Sequence, residues 1–300
     1  MRVLVAGASG FVGRRLAPAL HDLGHDVRAM TRHPERYRGA GTPVLGDVHD
    51  PDTLATALEG ATAAYYLVHS LDSADFERLD AEAACAFATA ASDAGLGRII
   101  YLGGLGRDFE QLSTHLRSRR EMEGLLGSTG VPVTTLRAGI VIGHGGISWE
   151  ITRQLVERLP AMITPRWVRT KTQPIALADV VRYLVGVLEL DDAANRIFEV
   201  GGADVLEYLD ILRRVAALQR RRMLIAPVPV LTPRLSSLWL SLVTDVDGRT
   251  GRALVDSMSN EVVVEDHSIR ELVQFEPMGF DEAVAAAMAD RSRERSRVVR

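Results

Sequence analysis

Residues 3–13 read VLVAGASGFVG, an apolar run followed by glycines at every third position. The apolar run predicts a strand, and Phe11 to Leu23 predict a helix. In this setting Gly7 allows a tight turn, Gly10 lets a pyrophosphate approach the backbone, and Gly13 lets the helix pack against the strand. The pattern predicts a dinucleotide site, with a plain structural turn as the alternative. The turn residues that we assign to this site are Gly7, Ser9, Gly10, Phe11, Val12 and Gly13.

The first half of the chain alternates short apolar runs with helical patterns. Strands are predicted at Val3–Ala6, Val27–Met30, Pro43–Leu45, Ala63–Val68, Arg98–Leu102 and Val133–Arg137. Further helices are predicted at Pro51–Leu58, Phe76–Ala94 and Leu116–Leu126. Because strands alternate with helices and are apolar almost throughout, the sequence predicts an α/β fold with a doubly wound parallel sheet covered by helices on both faces.

The second half of the chain is less regular. From about Gly143 onward prolines become frequent, and the alternation returns only in pieces such as Ile197–Val200. We interpret residues 1–145 as a nucleotide-binding core. Residues 146–300 are expected to be a mixed region that completes the core fold and forms a smaller C-terminal lobe.

The end of the second strand indicates which dinucleotide binds. NAD(H) sites usually carry an acidic residue there for the ribose 2′-hydroxyl, but this strand leads into Met30, Thr31 and Arg32. A guanidinium group forms bidentate hydrogen bonds with a 2′-phosphate, and a threonine hydroxyl can add another. The sequence therefore favours NADP(H) over NAD(H), with a surface role for Arg32 as the alternative.

Two more loops follow predicted strands at the same edge of the sheet. After the third strand, Asp47 is placed to accept a hydrogen bond from the adenine amino group and Val48 to cover the ring, although Asp47 also fits a simple helix cap. After the fourth strand, Val68, His69 and Ser70 are expected beside the ribose and nicotinamide of the cofactor. His69 fits a site residue and an ordinary loop residue equally well.

The segment STHLRSRR, residues 113–120, begins like a helix and sets His115 and Arg119 four residues apart on one helical face. Taken alone, these residues leave three interpretations open: a proton-transfer pair, an anion clamp and a solvated positive face. Arg117 and Arg120 of the same segment are expected to face solvent.

Composition argues against several kinds of function. With 35 basic and 39 acidic residues the net charge is −4, so no overall attraction to nucleic acid is expected. The His and Cys spacings match no metal motif, and the single Cys85 fits a reducing cytoplasm. Neither a signal peptide nor a membrane span is expected. The apolar, serine-broken segment 235–243 is expected to be a partly buried helix, with contact to a membrane surface or a protein partner as the alternative.

The glycine turn, GDVHD (residues 46–50) and QPIALADV (residues 173–180) together resemble the extended and atypical branches of the short-chain dehydrogenase/reductase superfamily. The phrases AYYLVHSL, YLGGLG, HLRSR and TPRWVRTKTQPIALADV are similar to bacterial atypical members described as NAD(P)H-binding proteins. The likeness extends to about residue 265. It is more distant to the NmrA-type redox-sensing regulators and to the NADPH-carrying accessory subunit of respiratory complex I. The resemblance implies a Rossmann domain with a small C-terminal lobe for a substrate or partner.

In active members of that superfamily, a serine or threonine follows the fifth strand, and a tyrosine and a lysine lie on the next helix. The tyrosine exchanges a proton with the substrate, while the lysine lowers the pKa of the tyrosine and holds the nicotinamide ribose. Here Gly103 and Gly104 stand where the hydroxyl is expected. His115 corresponds to the tyrosine and Arg119 to the lysine. A histidine can transfer protons near neutral pH, whereas an arginine stays charged and is suited to holding a ribose or phosphate.

Two functions follow as hypotheses. The first is an NADP(H)-dependent oxidoreductase for a carbonyl, quinone or sugar-like molecule, with His115 as the acid/base and Arg119 as the cofactor anchor. Arg137, at the end of the sixth strand, is expected near its substrate crevice. The second is a protein that binds NADP(H) without turnover, as a redox sensor or a structural or partner-binding component, which the missing serine, tyrosine and lysine favour.

Overall fold

Most of the short apolar runs bury side chains on both faces, as the inner strands of a parallel sheet do. A computed structural model of the chain describes residues 1–71, 73–107, 111–164, 166–227 and 243–298. Its strands are β1 Arg2–Ala6, β2 Asp26–Thr31, β3 Thr42–Leu45, β4 Ala63–Tyr66, β5 Arg98–Gly104, β6 Val133–Ala138, β7 Val141–Ile142, β8 Ala161–Thr164, β9 Lys171–Thr172, β10 Ile175–Ala176, β11 Ile197–Val200, β12 Leu206–Glu207 and β13 Leu224–Pro227. Its α-helices are α1 Gly13–Asp22, α2 Leu54–Leu58, α3 Phe76–Asp93, α4 Thr114–Leu126, α5 Ile147–Arg158, α6 Leu177–Gly186, α7 Tyr208–Leu218, α8 Gly248–Ser257, α9 Ile269–Leu272 and α10 Phe280–Val298.

The central sheet contains seven strands in the order β11-β6-β5-β4-β1-β2-β3. Neighbouring strands are parallel throughout. The chain order reverses between β1 and β4, where Val3 is opposite Ala63 and Ala6 is opposite Tyr66. In sheets of this kind, ligands bind in the crevice outside the carboxyl ends of the strands at the reversal. The Rossmann-type α/β fold predicted from the sequence is confirmed.

Predicted and observed elements differ mainly at their ends. Helix α1 begins at Gly13, two residues later than predicted, because residues 7–12 form the turn that leads into it. Strand β4 ends at Tyr66. Leu67 and Val68, which were predicted as the last strand residues, therefore belong to the loop at the edge of the sheet.

Helices cover both faces of the sheet. On one face, Leu16 of α1 and Val180 of α6 belong to a single buried cluster with the strands. On the other face, Leu54 of α2, Phe87 of α3 and Leu126 of α4 belong to a second cluster. This two-sided burial explains why the strands are apolar along almost their whole length.

The region after residue 145 contributes both to the sheet and to a lobe beside it. Strand β11 pairs with β6 at the edge of the sheet. Helices α5, α7 and α10 form an apolar cluster of their own around Trp149, Tyr208 and Phe280. A smaller cluster connects the lobe with β5 and α4, and consists of Leu105, Leu116, Val262 and Val264. The division of the chain at residue 145 stays a prediction.

Residues 235–242 of the apolar segment 235–243 lie outside the described residues, so the membrane or partner contact considered for this segment stays a prediction. Within the described ranges, no helix combines the length and the apolar character that crossing a bilayer requires.

Candidate functional site

A cleft runs along the carboxyl ends of the central strands, at the point where the strand order reverses. It consists of two adjoining cavities of about 350 and 310 Å³. The larger, which we name the β2-side cavity, is lined by Ser9, Thr31, Arg32, Asp47, Val48, Val68 and Ser70, among others. The smaller, the β5-side cavity, is lined by Phe11, Val12, Gly13, Gly104, His115 and Arg119, among others. Both cavities include Gly7, Gly10, Leu67 and His69. The cleft thus brings together all the site residues predicted from the sequence, while their individual roles stay predictions.

The glycine turn lies at the centre of this cleft. Gly7 has a φ of +89°, a conformation that other residues rarely adopt. The Gly10 N–H donates to the Gly7 carbonyl oxygen at 2.9 Å, which closes the turn. A Cβ atom on Gly13 would overlap the Gly7 carbonyl oxygen and lie 2.7 Å from the Cα atom of Ala8. Because the turn is this tight, the first turn of α1 faces the cleft with its amide groups and its positive dipole end, an arrangement that fits a pyrophosphate.

The β2-side cavity carries one exposed guanidinium group. Arg32 follows β2 and is exposed, and no carboxylate among the described residues lies within ion-pair distance of it. Thr31 is buried, and its Oγ1 accepts a hydrogen bond from the His33 N–H at 3.2 Å. This bond leaves the Thr31 hydroxyl hydrogen available to a ligand. A guanidinium that has no carboxylate partner in the described part of the chain, next to an available hydroxyl, fits the 2′-phosphate that the sequence predicts here.

Asp47 and Val48 occupy the floor of the β2-side cavity. Asp47 accepts a hydrogen bond from the His49 N–H at 3.0 Å, and its own N–H donates to the Thr53 Oγ1 at 2.9 Å. These bonds stabilise the turn that contains Asp47, in keeping with the alternative that Asp47 caps the following helix. Its second carboxylate oxygen is not used by them, and Val48 is buried against the core, so the adenine role predicted for both residues is compatible with the geometry.

Helix α4 carries His115 and Arg119 into the wall of the β5-side cavity. Ser113 begins the helix, and its Oγ accepts the Leu116 N–H at 3.3 Å, as a capping serine does. The C-terminal lobe fixes this cap, because the Ser257 hydroxyl lies 2.9 Å from the Ser113 hydroxyl. The helix start predicted at this segment is confirmed, and the lobe determines where the two site residues stand.

Helix α4 packs closely against Gly103 and Gly104, the two glycines that end β5. A Cβ atom on Gly104 would lie 3.0 Å from the Leu116 side chain and 3.5 Å from that of Arg119. A Cβ atom on Gly103 would lie 3.2 Å from the Glu123 carboxylate. The hydroxyl that active members of the superfamily carry here is therefore replaced by close packing of the helix against the strand.

Electrostatics favour a neutral histidine next to a charged arginine. Burial, followed by the positive charges of Arg119 and His69, lowers the pKa of His115 to about 3. Burial also works to lower the pKa of Arg119, but the Tyr101 phenol and the Asp80 carboxylate outweigh it and raise that pKa. At neutral pH the site therefore presents an uncharged imidazole, which donates through one nitrogen only, and a permanent cation.

One arginine was misplaced by the sequence analysis. Arg120 was expected in solvent, but only 20% of its side chain is exposed and it donates to the Gly106 carbonyl oxygen at 2.8 Å. The Arg137 guanidinium forms two hydrogen bonds with the buried Glu123 carboxylate, at 2.9 and 2.7 Å, and its place near a substrate crevice stays a prediction. The expectation for Arg117 holds, since it is exposed and pairs with Glu77. Helix periodicity alone does not reveal a buried ion pair of this kind.

Sequence reasoning also missed several residues of the site. Asp80 on α3 accepts a hydrogen bond from the Ser70 N–H at 2.7 Å and is only 3% exposed. The C-terminal lobe contributes Ser148, Tyr208 and Ser257 to the β5-side cavity. These residues are distant in sequence and belong to no motif, so only the fold brings them together. Among the residues that the structure describes, no three His, Cys, Asp or Glu side chains meet as metal ligands.

Comparison with known proteins agrees with this geometry. A family model described as NAD(P)H-binding matches residues 7–189. A reductase of Streptomyces griseus, the (4-alkanoyl-5-oxo-2,5-dihydrofuran-3-yl)methyl phosphate reductase, is 36% identical over 49% of this chain and 50% of its own length. The photosystem II assembly factor Ycf39 of Synechocystis is 25% identical over 77% of this chain and 71% of its own length. The chain spans between a quarter and a half of the length of the first curated relatives that it matches.

Among solved structures, the triphenylmethane reductase of Citrobacter sp. in complex with NADP(H) superposes with a TM-score of 0.78. Its sequence identity is 17%, and the superposition covers 96% of this chain and all of that one. At this identity the likeness concerns the fold. Because the family model covers more than half of the chain and the cleft carries the glycine turn of a dinucleotide site, the protein belongs to the NAD(P)H-binding family.

Proposed function

We propose that the protein is an NADP(H)-dependent reductase that acts on a small, largely apolar molecule with a conjugated carbonyl group, such as a quinone or an unsaturated lactone. The observation that carries this proposal is the pairing of a neutral His115 with a cationic Arg119 in an apolar cavity continuous with the dinucleotide cleft. The Streptomyces relative is named as a reductase of an oxo-dihydrofuran that carries a methyl phosphate group, so its name supports the unsaturated-lactone part of this proposal and not the apolar character of the substrate.

The preference for NADP(H) over NAD(H) rests on Arg32. Its guanidinium lies at the end of β2, where the ribose 2′-position of a bound dinucleotide would be, and has no carboxylate partner among the described residues. A carboxylate at this position would repel a phosphate, whereas a free guanidinium attracts it. Thr31 adds a hydroxyl beside it.

The substrate class follows from the walls of the β5-side cavity. Most of its lining side chains are aliphatic or aromatic, and no Asp or Glu occurs among the described residues that line it. Its volume of about 310 Å³ is at the low end for ligand sites and is shared with the nicotinamide half of the cofactor. Such walls suit a small apolar molecule better than a sugar, whose hydroxyl groups need several polar partners.

The reaction class follows from the protein groups that would face the substrate oxygen. NADPH, when bound, would supply a hydride at the nicotinamide. The neutral His115 can donate one N–H hydrogen bond to the substrate oxygen, and Arg119 can stabilise negative charge on it. A histidine with so low a pKa is a poor general acid at pH 7, because almost none of it is protonated. Hydride addition to a conjugated carbonyl leaves a delocalised and weakly basic oxyanion, which these groups can stabilise until water protonates it.

A screen of quinones and unsaturated lactones with NADPH tests the proposal. The histidine variants distinguish the roles, because His115→Gln keeps an N–H donor while His115→Phe removes it. We expect His115→Phe to lose roughly a hundredfold in kcat and His115→Gln to retain most of it, given the usual value of one oxyanion donor. The control is His267→Gln, since His267 is exposed and outside both cavities. Equal activity in all variants would contradict the role of His115.

A second candidate function is the binding of NADP(H) without turnover. The tight packing at Gly103 and Gly104 favours it, because a Cβ atom there would lie only 3.1 and 3.0 Å from neighbouring side chains, which disfavours the larger hydroxyl-bearing residue of active superfamily members. The assembly-factor relative gives it further support. Tight binding of NADPH with no oxidation across the whole screen would establish this alternative. For either function we propose a cytoplasmic protein that does not bind nucleic acid, in keeping with its near-balanced charge.

A further inference from the structure

Helix α3 carries a buried carboxylate that neither proposed function explains by itself. Asp80 is 3% exposed, and no cationic group among the described residues lies within ion-pair distance of it. Burying an unpaired carboxylate is costly, and such a group usually persists only where surrounding contacts hold it. The same helix contributes Ala83, Ala84 and Phe87 to an apolar cluster, which gives no packing reason for a charge.

The contacts of Asp80 lead to the β2-side cavity. Its Oδ1 accepts the Ser70 N–H at 2.7 Å. The Ser70 Oγ in turn lies 3.1 Å from the His49 Nε2. Ser70 and His49 both line the β2-side cavity, but they follow different strands and are 21 residues apart. Asp80 therefore anchors a short chain of hydrogen bonds that holds two loops of this cavity together.

Asp80 also acts on the wall of the β5-side cavity through its charge. Helix α3 packs against α4, which carries Arg119. Among the described residues, no carboxylate forms an ion pair with Arg119, while the Tyr101 phenol and the Asp80 carboxylate are the groups that do most to raise its pKa. A cation at the wall of an apolar cavity needs a compensating negative charge in the protein, and Asp80 is the buried carboxylate that supplies it.

We propose that Asp80 is a positioning residue of the cofactor cleft, which fixes Ser70 and His49 in the wall of the β2-side cavity and balances the charge of Arg119 in the wall of the β5-side cavity. This inference rests on the proposed binding of NADP(H), because it assigns one buried residue to both halves of that site. Asp80 touches neither cavity directly and acts through these neighbours.

Two substitutions separate the two roles. Asp80→Asn keeps an oxygen that can accept the Ser70 N–H but removes the charge that faces Arg119. Asp80→Ala removes both. The matched control is Glu82→Gln, two residues further along the same helix, since Glu82 is exposed and pairs with Arg78. Thermal unfolding and circular dichroism of each variant establish that it is folded.

Calorimetric titrations with two probes measure binding affinity in the two halves of the cleft. The first probe, 2′,5′-ADP, reaches only the β2-side cavity, whereas NADPH reaches both. We expect Asp80→Asn to bind 2′,5′-ADP within about twofold of the wild type and NADPH roughly tenfold more weakly, since Arg119 loses the buried negative charge that helps to hold it in place. Asp80→Ala should weaken both probes by about tenfold, and Glu82→Gln neither.

The outcomes distinguish this inference from the proposed function. A wild-type protein that binds neither probe would overturn the proposed function, and this inference with it. A wild type that binds both, with Asp80 variants that bind them equally well, would overturn the inference alone. Equal weakening of both probes by Asp80→Asn would show a general structural role and refute the division between the two cavities.

Discussion

The state of His115 gives the most informative prediction about chemistry. Burial first, and then the charges of Arg119 and His69, lower the pKa of His115 to about 3. With an ordinary pKa of about 6.5, roughly a quarter of the imidazole would be protonated at pH 7, whereas with a pKa of about 3 the fraction is on the order of 10⁻⁴. Protonation-dependent catalysis by this residue would therefore be slowed by about three orders of magnitude, and the neutral ring is the form that meets the substrate.

The perturbation is the substitution Arg119→Met, which removes the second-largest of these causes while keeping a long apolar side chain. The pKa of His115 should rise in this variant but stay below its ordinary value, because burial is the largest cause. Histidine Cε1–H resonances in NMR spectra between pH 4 and 8 provide the assay. A His115→Gln sample identifies the resonance.

The expected result is a His115 resonance in the wild type that does not move between pH 5 and 8. A midpoint between 6 and 7 would refute the electrostatic reasoning and restore an acid/base role for this residue. If the titration midpoint of His115 is the same in Arg119→Met as in the wild type, the charge of Arg119 does not lower the pKa of His115.

The same pKa predicts a stability change with a definite sign. The unfolded state binds a proton on His115 below about pH 6.5, while the folded state resists it until about pH 3. The stabilisation of the folded state by the neutral His115 is therefore fully present above pH 6.5 and is lost as the pH falls toward 3. The full difference would be about 5 kcal/mol, but His115 borders an open cavity and solvent screens it, so we expect about 2 kcal/mol between pH 6.5 and 4. Urea unfolding of the wild type and of His115→Gln across this range isolates the effect, because other titrating groups are common to both proteins.

Further predictions concern the turn, a buried ion pair and a helix cap. Gly13→Ala should abolish NADPH binding and lower the free energy of unfolding by about 1–3 kcal/mol, since its Cβ would overlap the Gly7 carbonyl oxygen. An unchanged affinity for NADPH in calorimetry would contradict the tight turn. Arg137→Met should cost about 3 kcal/mol in urea unfolding, because it leaves the buried Glu123 carboxylate with only the Arg120 guanidinium at 4.0 Å. A loss below 1 kcal/mol would argue against the pair. Ser113→Ala should cost about 1 kcal/mol through the lost cap, and a catalytic effect without any loss of stability would show that the serine has another role.

Much of the nucleotide-binding half was accessible from the sequence. The apolar runs and the spaced glycines are local patterns, and local patterns determine strands, turns and the edge of the sheet at which loops meet. For this reason Gly7, Thr31 and Arg32 fall in the cleft as expected. The strand ends were less predictable, because whether Leu67 and Val68 continue a strand depends on pairing with neighbours rather than on their own apolar character.

The substrate half was far less accessible. Tyr208 and Ser257 reach the cavity from the C-terminal lobe, and nothing in their local sequence distinguishes them from ordinary helix residues. Asp80 looks like any polar residue of a helix until α3 is packed against the loop after β4. The low pKa of His115 likewise depends on burial and on a neighbouring charge, which no spacing rule supplies.

The central claim is that this cleft binds NADP(H) through Arg32, and calorimetric titration of NADP(H) and NAD(H) tests it most directly. The wild type should prefer NADP(H), and Arg32→Ala should lose that preference by roughly ten- to a hundredfold, the usual value of a charged hydrogen bond. Arg36→Ala is the control, because Arg36 is exposed, lies four residues further on and pairs with Glu35. A wild-type preference for NAD(H), or an Arg32→Ala protein that still prefers NADP(H), would contradict the account.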